Sequence, residues 1–213
     1  MQSWSESVIE LLEAKDYKGL DQLLAAHPDR VNQGIGIPFD PKCRILAHPL
    51  HRICDAVFTE KIADLEAIEP ALIFLDRGAD IDGYETIGEG TPLMAAASLH
   101  AEALGNYYIE KGAKVNPIHP KSGESALHWA SYCGMDKLVE RLIASGAILD
   151  EPDHVHKSTP LGWAIHALRT QVGKPGQNQG ECVELLLDAG ADSSKLDGEQ
   201  YGFLIELAKG NGV

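Results

Sequence analysis

A step of 34 residues constrains this chain more than any other feature. Thr91-Pro92-Leu93, Ser125-Ala126-Leu127 and Thr159-Pro160-Leu161 stand 34 residues apart, and Gly78-Ala79, Gly112-Ala113 and Gly146-Ala147 keep the same step. Two different motifs held in one register mean that one supersecondary unit is being restated, each copy burying its apolar face against the next. Within the unit, Thr or Ser is placed to cap a first helix through its hydroxyl, and Pro fits the first turn, where its missing N–H loses no partner. The glycine past a second helix takes the left-handed conformation that closes it.

His128 follows the Leu of its motif, and the sequence His48-Pro49-Leu50-His51 opens an earlier copy. With these residues the chain resembles the ankyrin-repeat family along nearly its whole length. The resemblance implies an all-α fold: an ankyrin-repeat solenoid of about five helix-turn-helix repeats with β-turn fingers, a degenerate first repeat and a C-terminal capping helix. It implies a single domain over residues 1–213, with the degenerate repeat at 1–33, repeats at 45–82, 90–116, 123–150 and 158–192, and the cap at 197–209.

The spacing of Val8, Leu11 and Leu12 predicts a first amphipathic helix over Ser5–Ala14, and Leu20, Leu23 and Leu24 continue in a second that His27-Pro28 ends. Repeat two holds nine more residues between Leu50 and Gly78 than repeat three holds between Leu93 and Gly112. The excess falls at Phe58–Glu69, whose helix-favouring composition predicts longer helices. Repeat five carries ten extra residues centred on Thr170–Gly180, where Gly, Pro, Gln and Asn predict a mobile loop. The lone helix at Tyr201–Lys209, with Phe203, Leu204, Ile205 and Leu207, is expected to cover the apolar face of the last repeat.

A net charge of −14 excludes unaided nucleic-acid binding, which draws on clustered Lys and Arg. Residues 1–82 carry 15 acids and 8 bases against 17 and 10 in the remainder, so the acidity is even and suits solubility or a partner protein with a basic surface. No apolar run is long enough to span a membrane, and the polar start from Met1 to Glu10 lacks the features of a leader, so no membrane association and a cytoplasmic location are expected. The four cysteines, Cys43, Cys54, Cys133 and Cys182, show no C-x-x-C pairing and are expected as free thiols.

No nucleophile elbow, zinc-protease or calcium-loop motif occurs. Gly34-Ile35-Gly36 lacks the third glycine of a dinucleotide loop, since Phe39 occupies that place, and Gly173-Lys174 lacks the following Ser or Thr of a phosphate loop. No catalytic residues, no cofactor and no metal ligands are assigned, and the chain is expected not to be an enzyme. Asp153-His154-Val155-His156 is the most metal-like stretch, with His119 34 residues earlier, but polar fingertips in solvent are the plainer reading. For His51 and His128 the resemblance implies a structural hydrogen bond to turn backbone.

Surface recognition remains, and register with the family implies where. The concave groove should be lined two residues after the motif Leu by Arg52, Ala95, Trp129 and Trp163, and three further on by Asp55, Ser98, Tyr132 and His166. Leu99 and Cys133 come next in the same register, beside Ala56 and Ala167. Trp and Tyr dominate interface energetics, so the cluster Trp129, Tyr132, Trp163 and His166 points to a binding face; the alternative is that the Trp rings are buried between layers. Asp55, Glu124 and Asp153 are expected to attract a basic partner at long range. The function expected is non-enzymatic protein–protein interaction through the concave face. A dedicated inhibitor or immunity protein neutralising a cationic toxin or enzyme, and a metal-dependent regulator, are the alternatives.

Overall fold

The computed structural model describes residues 3–40, 45–83, 90–171 and 177–209. Among them are eleven α-helices and no strand, with two isolated antiparallel bridges, Ile35 to Ala47 and Ile118 to Ser125. The all-α class expected from the repeat is the class observed. Contacts divide the chain into two compact units, Met1–Lys114 and Val115–Val213.

The first unit holds α1 (Trp4–Glu13), α2 (Tyr17–Ala26), α3 (Pro49–Phe58), α4 (Ile68–Asp76), α5 (Pro92–Ser98) and α6 (Glu102–Glu110). Pairs α1–α2, α3–α4 and α5–α6 pack internally, while α3 lies against α5, and α4 against α2 and α6. Leu12, Leu20, Leu24, Leu50, Ile53, Phe74, Leu93 and Leu104 are fully buried between them. Every residue of α5 from Pro92 to Ala97 is buried, as befits a helix apolar on all sides. Tyr108, also fully buried, satisfies its hydroxyl by donating to the Leu50 carbonyl at 2.8 Å.

The extra residues of repeat two do not lengthen both helices. Helix α3 has ten residues against seven in α5, but α4 has nine, the same as α6, and 59–67 form turns. Glu60 adopts a left-handed φ of 59°, and Thr59 donates its hydroxyl back to the Asp55 carbonyl at 2.9 Å. The N-cap residue of α6, Ala101, has no side chain that can cap the helix. The Asp64 carboxylate supplies one, accepting the N–H groups of Ala103 at 2.6 Å and Leu104 at 3.0 Å. A tertiary contact has overridden helix propensity.

The second unit holds α7 (Ala126–Cys133), α8 (Asp136–Ala144), α9 (Pro160–Thr170), α10 (Gln179–Asp188) and α11 (Gly198–Ala208). First helices α7, α9 and α11 stack in sequence, and α10 packs on α7, α8 and α9. Leu127, Leu138, Leu142, Leu161, Ile165 and Leu186 form the core. The Ser125 and Thr159 hydroxyls cap α7 and α9 as the motif predicts. Gly146 closes α8 at φ 83°, and Gly78, Gly112 and Gly190 close the corresponding helices likewise. Gly134, at φ 68°, ends α7 where a Cβ would stand 2.7 Å from the Asn178 backbone nitrogen, so α10 could not approach a larger residue there.

Helix α11 packs on α9 of the last repeat, with a polar first turn. Phe203, Leu204 and Leu207 are only half-buried and Ile205 is exposed, while Gln200 is buried and donates to the Gly162 carbonyl at 3.2 Å and to Ser158 Oγ at 3.3 Å. A polar lock in the first turn ties this helix to α9. The loop expected over Thr170–Gly180 lies partly outside the described residues, as does Cys43. Cys54, Cys133 and Cys182 are buried.

One recurrent contact explains the repeat tails. Asn32 Oδ1 accepts the Asp80 N–H at 2.7 Å and Asp82 Oδ1 the Lys114 N–H at 2.9 Å; in the second unit Asn116 Oδ1 accepts the Ile148 N–H and Asp150 Oδ1 the Asp192 N–H, each at 2.9 Å. Each tail thus satisfies a backbone donor in the next.

Candidate functional site: an aromatic groove

In the second unit a groove of about 470 Å³ is lined by Trp129 and Tyr132 from α7, Gly162, Trp163 and His166 from α9, His156 and Ser158 from the finger, and Asp197 and Gln200 at the start of α11. Residues 129, 132, 163 and 166 share a face because steps of three and thirty-four repeat the register of first helices. Trp129, Tyr132 and Trp163 are half-buried and His166 is exposed. The three rings meet pairwise edge-to-face: Trp129–Trp163 at 5.1 Å and 83°, Tyr132–Trp163 at 5.8 Å and 75°, Trp129–Tyr132 at 6.3 Å and 89°.

Asp153 holds this arrangement. Its carboxylate is 1% exposed and accepts four N–H groups: Oδ1 those of Val155 (2.8 Å) and His156 (2.6 Å), Oδ2 those of Ser158 (3.1 Å) and the Trp163 indole (3.0 Å). Burial pushes the carboxyl upward, but together these donors bring it below its usual range. The finger is fixed by its own aspartate, and the same aspartate sets the tilt of the Trp163 ring. The His156 ring adds a further edge contact with Trp163 at 6.2 Å.

His128, fully buried, supports the groove from beneath, 5.4 Å from Trp163. The Ser125 N–H donates to its Nδ1 at 3.1 Å, so Nε2 carries the proton and donates to the Ser158 carbonyl at 3.2 Å. This is the backbone bond expected for His128. Burial lowers its pKa, which suits the neutral tautomer the bonds require. Ser125 Oγ lies 2.9 Å from Nδ1, a nucleophile–base distance, but Ser125 is itself buried, so the pair serves as a helix cap. Gly162 occupies the motif-His position in α9; a Cβ there would collide with Ser158 Oγ and approach the Gln200 amide.

Several anticipated residues stand differently. His51 makes no backbone bond: its Nδ1 is buried without a hydrogen-bond partner, 3.8 Å from Asp55 Oδ2. His48 instead caps α3, its Nδ1 accepting the Leu50 N–H at 3.3 Å while its Nε2 pairs with Asn32 Oδ1 at 2.9 Å. Arg52 is buried rather than presented, donating to the Ile45 carbonyl at 3.0 Å, to the Ile35 carbonyl at 3.4 Å and to Asp55 Oδ2 at 2.8 Å. Burial pushes the Asp55 carboxyl up, but the Arg52 guanidinium and the His51 ring beside it hold it below its usual range. Cys133 is buried and Leu99 half-buried.

Asp153 and Glu124 cannot act as surface charges, being 1% and 8% exposed. Among the described residues no three His, Cys, Asp or Glu side chains converge to hold a metal ion. The metal-like stretch is divided: Asp153 binds backbone, the His154 ring packs over Gly123, and His156 faces Trp163. Sequence reasoning missed His156, Ser158, Gly162, Asp197 and Gln200 as groove lining. The capping box Asp197-x-x-Gln200 was the available signal for where α11 begins.

Comparison with known proteins agrees with the repeat fold. A family profile described as ankyrin repeats (3 copies) matches residues 63–153 and 93–197. The B-cell lymphoma 3 protein homolog of Mus musculus is 38% identical over 93 residues, 44% of this chain and 20% of that protein. Ankyrin repeat and SOCS box protein 6 of Homo sapiens is 29% identical over 140 residues, 65% of this chain and 31% of that protein. Palmitoyltransferase ZDHHC13 of Homo sapiens is 37% identical over 81 residues, 38% of this chain and 11% of that protein. The chain therefore spans less than a third of the length of each of these relatives. Among the described residues no helix is long and apolar enough to cross a membrane.

Proposed function

This chain belongs to the ankyrin-repeat family, whose repeats bind other proteins, and from that premise we propose that it is a non-enzymatic binding module that captures a partner protein through the groove of Trp129, Tyr132, Trp163 and His166. The observation that carries this reading is the groove itself. Three aromatic side chains that could have been buried between layers are left half-open around one cavity, and Trp163, on which Trp129 and Tyr132 pack, is fixed in advance by Asp153 and His128. Rigid aromatic anchors contribute affinity at little entropic cost, because few torsions are left to freeze on binding. The −14 net charge supports a partner with a basic surface.

Trp129→Ala and Tyr132→Ala are the informative variants, since neither side chain is tied to Asp153 as Trp163 is. In a pull-down from the native cell, each should lose a partner that the unmodified chain retains at both low and high salt, while circular dichroism stays helical. Truncation of such an anchor costs about 2 kcal/mol or more. If both variants fold and retain the partner at full strength, the groove is not the binding surface. Recovery of one stoichiometric partner with catalytic activity assigns inhibition; recovery of non-catalytic partners assigns scaffolding.

A further inference from the structure

We propose that the groove takes an arginine side chain of the partner and that Asp197 selects it, an inference that rests on reading this groove as the binding surface. No Lys or Arg is among the lining residues, and the exposed carboxylate among them is that of Asp197. Its Oδ1 accepts the Gln200 N–H at 2.8 Å, the bond that caps α11. Among the described residues Asp197 Oδ2, the Tyr132 hydroxyl and the His156 and His166 rings accept no hydrogen bond. These open acceptors come from four separate elements: α7, the finger, α9 and the start of α11. A bound anion would set its own acceptors against the carboxylate. An ammonium brings three donors on one compact, strongly hydrated nitrogen, whereas a guanidinium spreads five over a planar fork and is more weakly hydrated. A fork reaches acceptors on different elements at once, and its stem and plane rest against the half-exposed wall of Trp129, Tyr132 and Trp163.

The first unit closes the same register on a guanidinium of its own. Arg52 stands at the position of Trp129 and Trp163, and Asp55 at that of Tyr132 and His166. Asp55 Oδ2 takes the Arg52 guanidinium at 2.8 Å, and the carbonyls of Ile45 and Ile35, from the segment before α3, take it at 3.0 and 3.4 Å. A carboxylate and neutral acceptors from neighbouring chain therefore satisfy this cation inside the fold. In the second unit the same positions carry rings and an imidazole, and the carboxylate arrives from α11 instead. The acceptors are present there and the cation is not, so the partner supplies it.

The test is titration of the full chain at constant ionic strength, followed by tryptophan fluorescence and by proton NMR of the histidine rings. The probes are N-acetyl-glycyl-X-glycine amides in which X is arginine, lysine or citrulline, the last being the neutral isostere of arginine. The arginine probe should saturate with a Kd on the order of millimolar and bind about fivefold more tightly than the other two. Asp197→Asn, which keeps the helix cap, should remove this preference and leave citrulline binding unchanged. Tyr132→Ala should weaken the arginine probe about threefold or more with unchanged circular dichroism. Equal binding of arginine and citrulline, or of arginine and lysine, overturns the proposal. So does an arginine preference that survives Asp197→Asn, or a uniform weakening of all three probes by that variant, which would make Asp197 structural only. If every titration is silent while Tyr132→Ala still loses the partner, the groove reading stands and the arginine assignment alone falls.

Discussion

Equivalent register positions are put to opposite uses in the two units. At the position two residues after the motif Leu, the first unit has Arg52, buried and donating to two carbonyls and a carboxylate, and the second has Trp129 and Trp163, half-open around a cavity. Three residues on, Asp55 is the internal partner of Arg52, whereas Tyr132 and His166 line the groove. The difference lies in what each side chain can leave undone. Arg52, once buried, must have its donors satisfied, so it is committed to the fold. The aromatic rings pack edge-to-face and stay half-exposed. Residues in one register are therefore equivalent in place but not in availability.

Arg52→Ala should break this contrast most severely. Removing the guanidinium leaves Asp55 and two carbonyls without their donor, at a cost of about 3 kcal/mol in denaturant unfolding. Hydrogen exchange should rise in α3 and α5 with the groove's near-ultraviolet circular dichroism intact; a loss below about 0.5 kcal/mol would show that Arg52 is not committed to the fold.

Asp153→Asn is the counterpart in the second unit. An amide in place of the carboxylate sets two donors against a nest of N–H groups, at about 2 kcal/mol. The Trp163 ring should lose its fixed tilt, seen as weakened near-ultraviolet circular dichroism. An unchanged signal would mean that aromatic packing alone orients the groove.

Acid should act on both units. Burial lowers the His48 pKa from 6.5 to about 4 and lowers that of His128, so both rings are neutral when folded and take up protons when unfolded. A depressed folded value means that their contribution is fully present above pH 6.5 and is lost as pH falls from there toward 4. For His48 the loss by pH 5 is about 2 kcal/mol. His48→Asn, whose side chain also caps a helix, should flatten the decline between pH 7 and pH 5; an unaltered slope would place the sensitivity elsewhere.

The smallest effect is expected at Asp64. Asp64→Ala removes a cap made across two repeats and should cost about 1 kcal/mol, with faster exchange confined to the first turn of α6. Uniform loss of protection through the first unit would show instead that the turns at 59–67 are a structural keystone.

The 34-residue step, the hydroxyl caps at Thr91, Ser125 and Thr159, and the glycines closing second helices were legible in the sequence because each is a local or periodic requirement of backbone geometry. The positions of Trp129, Tyr132, Trp163 and His166 on one face followed from the same period, since register alone sets which residues neighbour one another. Burial did not follow. Whether Arg52, Asp153 or Glu124 faces water depends on chain that arrives from elsewhere: the Ile45 carbonyl over Arg52, the Trp163 indole on Asp153, and the His119 segment beside Glu124. The same holds for Asp64 reaching α6 and Gln200 seating α11 against Gly162. Periodicity records how a chain meets its own next copy, and so it fixed the fold and the placing of the groove. Hydrogen bonds between residues tens of positions apart leave no period, so only the tertiary structure decided which polar groups hold the fold together and which aromatic rings remain half-exposed.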